Sequence, residues 1–460
     1  MDDERLGVRV GVQPGPAALD VGVHLDQRDA GPYAAPSMLS VLLTSITCMG
    51  PTLVLVPVAH RPENSVAPAG PSHYRRPVEI RDLALDDLDA ALGVRSRSFG
   101  PLSSGDVEQW KSMVTRAVGA GRQLAAYDGA TVVASARINA FGQWWGGRQV
   151  PMAGIGSVVV APEHRGSGVG LALMEAVVER SRALGFTLSA LYPATTAPYR
   201  RAGYELAGVR RTVDLSTDAL RRLPGAAVKL RRGAAGDAEE VVRLLAAQAR
   251  TRHDSGPFGW EAAEISVDLA DDEVLTYLAD DGVVSYGFAG DRFQVHAIGA
   301  TSPETLRALW RLVGSGSSTQ ATTRVALGPS DPVFWLLADN EVSVASSQWW
   351  MLRLVDAAAA VAERGFPAGL TVEVPVTLSD PLDPAGSGTF VLAIADARGV
   401  LRRTDGPGGL ALEPRGAAAL FAGTPVATLR AAGLATGGEP AHDALLDAAF
   451  AATPFMTDYF

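Results

Sequence analysis

The sequence predicts an α/β chain of the α+β kind, in which one strand–loop–helix–strand plan occurs twice, the second time weakened, before a shorter mixed region. Three observations carry this. Residues 153–205 read as an apolar β-branched strand (Ile155, Val158, Val159, Val160), a glycine loop, an amphipathic helix and a second apolar strand. Around that stretch the order strand, helices, hairpin, strand, loop, helix, strand runs from residue 77 to residue 215, and a similar order restarts near residue 227. Beyond residue 349, short strands and helices alternate without that plan. At 460 residues, 47% hydrophobic and 20% charged, the chain has room for about three domains of globular type.

Taken in order, residues 1–76 are rich in Gly, Pro and Asp and show no helical period. They are expected to form a poorly ordered extension that the rest of the fold does not need. The charge-free run 38–58 raises a membrane anchor as the alternative, weakened by Gly50, Pro51 and Pro57. Residues 77–85 read as a strand, and Asp86 or Asp87 caps a helix through Leu92. Residues 107–118 form another helix. Asp128-Gly129 turns a hairpin whose arms are 124–127 and 131–138. Residues 141–148 read as a Gly- and Trp-rich connection to the strand at 155–160. In the helix that follows, Val169, Leu173 and Val177 lie four apart, as do Met174 and Val178, giving one core-facing stripe. Gly185 suits a C-terminal cap, and 186–192 is a second apolar strand. A helical turn then carries Tyr199, and a strand at 211–215 closes the unit. In the second cycle, 227–231 is expected to be a strand. Asp237 caps a helix to Ala249, Asp281-Gly282 turns a hairpin, and 303–313 is a helix with Leu306, Leu309 and Trp310 on its apolar face.

The totals exclude some functions. A net charge of −10 and a pI near 5.3 argue against a nucleic-acid surface. The single Cys48 excludes an internal disulfide and fits a reducing compartment. No Cys/His cluster has metal-ligand spacing, so no metal is expected.

The chemistry centres on Arg165-Gly166-Ser167-Gly168-Val169-Gly170, an R-x-x-G-x-G loop placed between a strong strand and a strong helix. Glycines let the backbone approach a ligand, and the first amides of a helix favour a phosphate. The pattern alone means little, because R-x-x-G-x-[GA] recurs at Arg116, Arg222, Arg311, Arg403 and Arg430. Only the copy at Arg165 has the strand-to-helix context. The copy at Arg311 falls at a helix end, where the dipole disfavours phosphate.

In these features the stretch resembles the GNAT superfamily of N-acetyltransferases, whose fourth strand, R-x-x-G-x-G/A loop and following helix hold acetyl-CoA. Within it the chain is most similar to the Eis (enhanced intracellular survival) group of actinobacterial aminoglycoside acetyltransferases. The resemblance implies two tandem GNAT-like folds, the second degenerate and non-catalytic, followed by a sterol-carrier-protein-like C-terminal domain. The expected bounds are 1–76 for the extension, 77–218 and 219–349 for the two GNAT-like units, and 350–460 for the last domain. It implies acetyl-CoA contacts at Val158, Val159 and Val160, at Arg165, Gly166, Ser167, Gly168, Val169, Gly170 and Leu171, and at Ala194 and Thr195. It also implies Tyr199 as general acid, the terminal carboxylate of Phe460 as general base, and a cytoplasmic homohexamer of two trimers acting on an aminoglycoside-type or other polyamine. Acetylation of a protein lysine or small polyamine, and non-catalytic acyl-CoA or lipid binding, are the alternatives.

The residues themselves leave parts of this open. A phenol can protonate a departing thiolate, yet Tyr199 reads equally well as a half-buried packing tyrosine. His164, His253, His296 and His442 offer no evident base, and no Ser/His/Asp set is spaced for a nucleophile. The tail 454–460 is largely apolar up to the last residue, which predicts that it docks. Where some relatives carry an acid beside the terminus, this chain has Tyr459, with Asp458 one position further in. Phe99, Trp110, Trp144 and Trp145 are candidate pocket aromatics.

Overall fold

The computed structural model describes residues 78–225 and 227–460, so the extension and its apolar run 38–58 lie outside the described residues. The first unit comprises β1 (Glu79–Asp82), α1 (Leu88–Phe99), α2 (Ser104–Gly119), β2 (Gln123–Asp128), β3 (Thr131–Trp145), β4 (Arg148–Val160), α3 (Val169–Ala183), β5 (Leu188–Leu191), α4 (Thr196–Arg201) and β6 (Glu205–Ser216). Ser103 caps α2 by accepting from the amide of Asp106. The expected connection at 141–148 is instead the end of a long hairpin: β3 runs to Trp145 and pairs with Arg148 at the start of β4. Gly146 and Gly147, with φ of 58° and 77°, supply the two left-handed residues such a turn requires. Trp145, Val150 and Met152 all turn into the core, which extends the strands past the point where glycines suggest a break.

The second unit follows as α5 (Thr217–Arg221), β7 (Arg231–Arg232), α6 (Ala238–Arg252), β8 (Phe258–Gly259), α7 (Ala262–Ala270), β9 (Val274–Ala279), β10 (Gly282–Ala289), β11 (Arg292–Ala300), α8 (Pro303–Gly314), β12 (Thr322–Ala326), α9 (Val333–Leu336) and β13 (Val342–Leu354). The strand expected at 227–231 shrinks to Arg231 and Arg232, because only these reach Leu278 and Tyr277 at the sheet edge. Both units share one 13-stranded sheet, ordered β1-β2-β3-β4-β5-β13-β6-β12-β11-β10-β9-β7, with β8 attached to β3. Strand β13 enters between β5 and β6: Met351 pairs with both Leu191 and Leu206, and Val342 pairs with Leu215. The second unit thus completes the first unit's sheet, and residues 349 and 350 lie inside a continuous strand.

The third region has α10 (Ala357–Glu363), β14 (Val372–Leu378), β15 (Gly388–Ala395), β16 (Arg398–Arg403), β17 (Leu410–Leu412), α11 (Pro414–Phe421), α12 (Val426–Ala431), β18 (Ala435–Gly437) and α13 (Pro440–Phe450). Its five strands form a second sheet, ordered β16-β15-β14-β17-β18. Its core is continuous with the first unit: Trp145 meets Trp350 at 6.2 Å and Phe421 at 4.9 Å, both edge-on. No helix among the described residues is long and apolar enough to cross a membrane.

Candidate active site

Strand β4 is where the sheet opens. It pairs in parallel with β5 only at Met152, Ala153 and Gly154; beyond Gly154 the two strands part. On its other edge β4 carries a bulge, since Ser135 faces Val159 but Arg137 faces Gly156, and Ser157 takes the left-handed φ of 52°. A non-glycine residue held there is strained, and such strain gathers at functional sites. The amide of Ala161 bonds the carbonyl of Val133 on β3. Because successive amides alternate, Val159 also faces β3, leaving the amides of Val158 and Val160 toward the gap. The three residues expected as one set therefore divide by direction.

The loop after β4 leads into α3 as expected. Gly166 and Gly168 have φ of 75° and 91°, and a Cβ built on either meets nothing within 4 Å. Their missing side chains open space for a ligand and accommodate a backbone that L-residues resist. Leu171 is the first helical amide to find an acceptor, bonding Gly168 O at 3.1 Å, so those of Val169 and Gly170 lie ahead of the helix's own bonding. Arg165 is exposed and donates from Nε to Val160 O at 3.3 Å, which ties the loop to β4. The hydroxyl of Ser167 donates to the carbonyl of His164. This cradle, open and rich in unbonded amides, fits a pyrophosphate. Gly168→Val should raise the acetyl-CoA KM by about tenfold or more, because it fills the cradle and strains φ by about 1–3 kcal/mol. Acetyl-CoA titration beside a melting curve checks this; unchanged affinity removes the loop from the site.

Ala194 and Thr195 are exposed between β5 and α4, and Thr195 is the first residue of the helix cap. Tyr199 follows on α4, half-buried against the cluster that also holds Val158, Val160 and Leu171. Its ring meets Tyr204 edge-on at 6.4 Å, and its hydroxyl bonds no described residue. Burial pushes its phenol pKa up. Tyr204 itself is fully buried, bonded to Ser189 Oγ at 2.7 Å and pushed up to about 12 by burial.

The tail docks, as its apolarity predicted. Phe455 bridges to Val209, and Phe455 N donates to Ser255 O at 3.1 Å. Arg210 donates to Thr457 O at 3.0 Å and lies 4.1 Å over the Tyr459 ring. Tyr192 donates to Asp458 O at 2.6 Å, and the Tyr459 hydroxyl donates to Gln348. Phe460 is 8% exposed, its ring among Tyr192, Phe258 and Phe141 at 5.3 to 5.7 Å. A Cβ on Gly154 would stand 2.7 Å from that ring, and one on Gly156 would stand 3.6 Å from the Phe460 carbonyl carbon. The last residue thus lies against the bulged part of β4, two positions before Val158. Gly154-x-Gly156 inside an apolar strand is the sequence signal for this close approach.

Around Phe460 is a small pocket open to solvent, walled by Phe99, Trp110, Phe141, Phe258, Trp260 and Tyr459. Of the aromatics expected there, Phe99 and Trp110 line it. Trp144 instead lines a neighbouring cleft, and Trp145 is fully buried core. Phe258 and Trp260 come from the second unit, which sequence reading gave no part in the site.

Asp458 is 4% exposed, and its carboxyl is pushed up to about 6, chiefly by burial, against the lowering effect of Arg210. A carboxyl whose folded pKa exceeds its unfolded value binds more protons when folded, so its neutral-state advantage fades as pH rises from about 4 to 6. Melting temperature should therefore be higher at pH 5 than at pH 8, and Asp458→Asn should recover about 2–3 kcal/mol at pH 8. A variant with the native pH slope would refute this.

Comparison with known proteins follows the same division. Residues 79–207 and 257–354 each match an acetyltransferase (GNAT) domain, and 357–457 match a sterol carrier protein domain. A GCN5-related N-acetyltransferase from Kribbella flavida is 47% identical, covers 84% of this chain and 98% of its own, and superposes with a TM-score of 0.80. The chain belongs to the GCN5-related N-acetyltransferase family. An uncharacterized N-acetyltransferase of Streptomyces coelicolor is 28% identical over 396 residues, covering 77% of this chain and 92% of its own. Another, from Streptomyces avermitilis, is 30% identical over 146 residues, 31% of this chain, and the match spans about a third, 35%, of that protein. Eis1 from Mycobacterium abscessus shares the fold at 21% identity and a TM-score of 0.66, covering 83% of this chain and all of its own. GNAT domains use acetyl-CoA. Two GNAT folds and a sterol-carrier-like domain are thus present, in the predicted order. Among the described residues no group of acids, histidines or cysteines is arranged to hold a metal.

Proposed function

We propose that this chain is an Eis-type enzyme that moves the acetyl group of acetyl-CoA directly onto a primary amine in the aromatic pocket. The observation that carries the reading is Phe460, whose terminal group lies against Gly156 beside the gap at Val158 and Val160. When bound, acetyl-CoA supplies the acyl thioester. Gly166, Gly168, Val169 and Gly170, with Arg165, Ser167 and Leu171, hold its phosphates, and Ala194 and Thr195 flank it. The amides of Val158 and Val160 are the donors available to polarise the acyl carbonyl. The Phe460 carboxylate takes the amine's proton as the C–N bond forms. The Tyr199 phenol, kept protonated by burial, gives its proton to the sulfur as the C–S bond breaks.

Aminoglycosides and polyamines are the acceptors implied by the Eis resemblance, with lysine side chains next. A cytoplasmic homohexamer of two trimers belongs to the same reading. The test is acetyl-CoA consumption across aminoglycosides, polyamines, lysine peptides and simple aryl amines, with product masses counting acetyl groups. Acetyl-CoA binding without turnover on any amine would turn the reading toward a non-catalytic acyl-CoA binder.

A further inference from the structure

The charges inside the acceptor pocket do not suit a polycation. Its acidic groups are Glu264 and the Phe460 terminus, and the Glu264 carboxylate is partly engaged, accepting from the amide of Glu261 at 3.2 Å. Against them stand two arginines, Arg95 and Arg137. Arg95 donates to the carbonyl of Gly100 at 2.7 Å. Arg137 is the unusual one. Its Nε donates to Asn139 Oδ1 at 3.0 Å, but its Nη1 is buried with no hydrogen-bond partner. No ion pair to a described residue offsets its charge, and Arg116 and Arg122 add repulsion. Burial and those two cations pull its pKa down to about 10, so the group stays charged in a place that disfavours charge.

Such a donor usually has an acceptor. The residue opposite Arg137 on β4 is Gly156, which has no side chain to cover the guanidinium and is the glycine beside the Phe460 terminus. An acid and a base thus line one aromatic chamber, both near Gly156. We propose that the acceptor is a zwitterion: an amine on an aryl or apolar body that also carries a carboxylate, with the amine at Phe460 and the carboxylate at Arg137. The one unpartnered nitrogen of the guanidinium, on the pocket wall, matches one planar, singly charged carboxylate. The rings of Phe99, Trp110, Phe141 and Trp260 take the body between them. Arg137 is then a specificity-determining residue, and a polycation meets repulsion where this ligand meets a partner.

The proposal rests on the acetyl-transfer reading, and matched acceptor pairs separate the two. Kinetics are measured for 4-(aminomethyl)benzoate against benzylamine, phenylalanine against phenethylamine, and kanamycin and spermine as polycations. In the native enzyme the carboxylated member of at least one pair should exceed its neutral partner by about tenfold or more in kcat/KM, the scale of a charge-assisted hydrogen bond, and exceed both polycations. Arg137→Met should collapse that ratio toward one, chiefly through KM, and Arg137→Lys should restore part of it. Melting curves and acetyl-CoA binding check that both variants fold. The native ratios stand as a test even if neither does. Neutral amines or polycations preferred by the native enzyme would overturn the proposal while leaving acetyl transfer intact, as would an Arg137→Met variant that slows every acceptor by the same factor. No turnover of any amine by the native enzyme would sink both readings.

Discussion

One residue added after Phe460 should lower kcat by about 10²-fold or more, the size expected for losing a general base, while acetyl-CoA still binds. The reason is positional. The Phe460 ring is fixed by Tyr192, Phe258 and Phe141, and the strand of tail behind it by Val209, Ser255 and Arg210. With the ring seated, an added residue carries the carboxylate away by about 3.5 Å, past hydrogen-bond reach of an amine placed for attack. It also intrudes on the pocket, so the acceptor KM should rise together with the fall in kcat. Deleting Phe460 removes the base and leaves a hole among three rings, which should cost stability as well. The measurement is single-turnover acetylation beside calorimetric acetyl-CoA binding, comparing the extended protein with native protein whose intact mass shows Phe460 as its last residue. An extended enzyme with native turnover rules out the carboxylate and moves attention to other groups facing the pocket.

Much of this site is legible locally and little of it is legible at a distance. The β4–loop–α3 unit could be read because its signals are short-range: β-branched residues, glycines at positive φ, and apolar residues four apart. The docking of the tail was legible too, since Phe455, Met456, Tyr459 and Phe460 have no reason to face water. What could not be read is pairing across hundreds of residues. Nothing in residues 342–354 says that they enter between β5 and β6, because a strand's own pattern does not name its neighbours. Phe258 and Trp260 join the pocket through that same joined sheet, where β8 pairs with β3. Arg137 is a residue of a predicted hairpin arm, and only the folded pairing opposite Gly156 reveals that its guanidinium is left without a partner.

Tyr199→Phe should match the extended tail in effect, lowering kcat by about 10²-fold or more with acetyl-CoA affinity retained. The substitution keeps the ring, and with it the edge contact to Tyr204 and the packing against Val158, Val160 and Leu171. Because the hydroxyl bonds no described residue, its loss should change stability by less than about 1 kcal/mol. A packing tyrosine would therefore tolerate the change, whereas a proton donor would not. The pH profile adds a second reading. Burial lifts the phenol above its ordinary value near 10, so the group is protonated and competent throughout the neutral range. As an acid it must act protonated, so native activity should persist well into alkaline conditions and fall only as pH rises through that elevated pKa. In the phenylalanine enzyme the residual rate should lack that alkaline fall. Native kcat in this variant, or an unchanged alkaline limb on a slowed enzyme, would return Tyr199 to a packing role and leave the thiolate to be protonated by water.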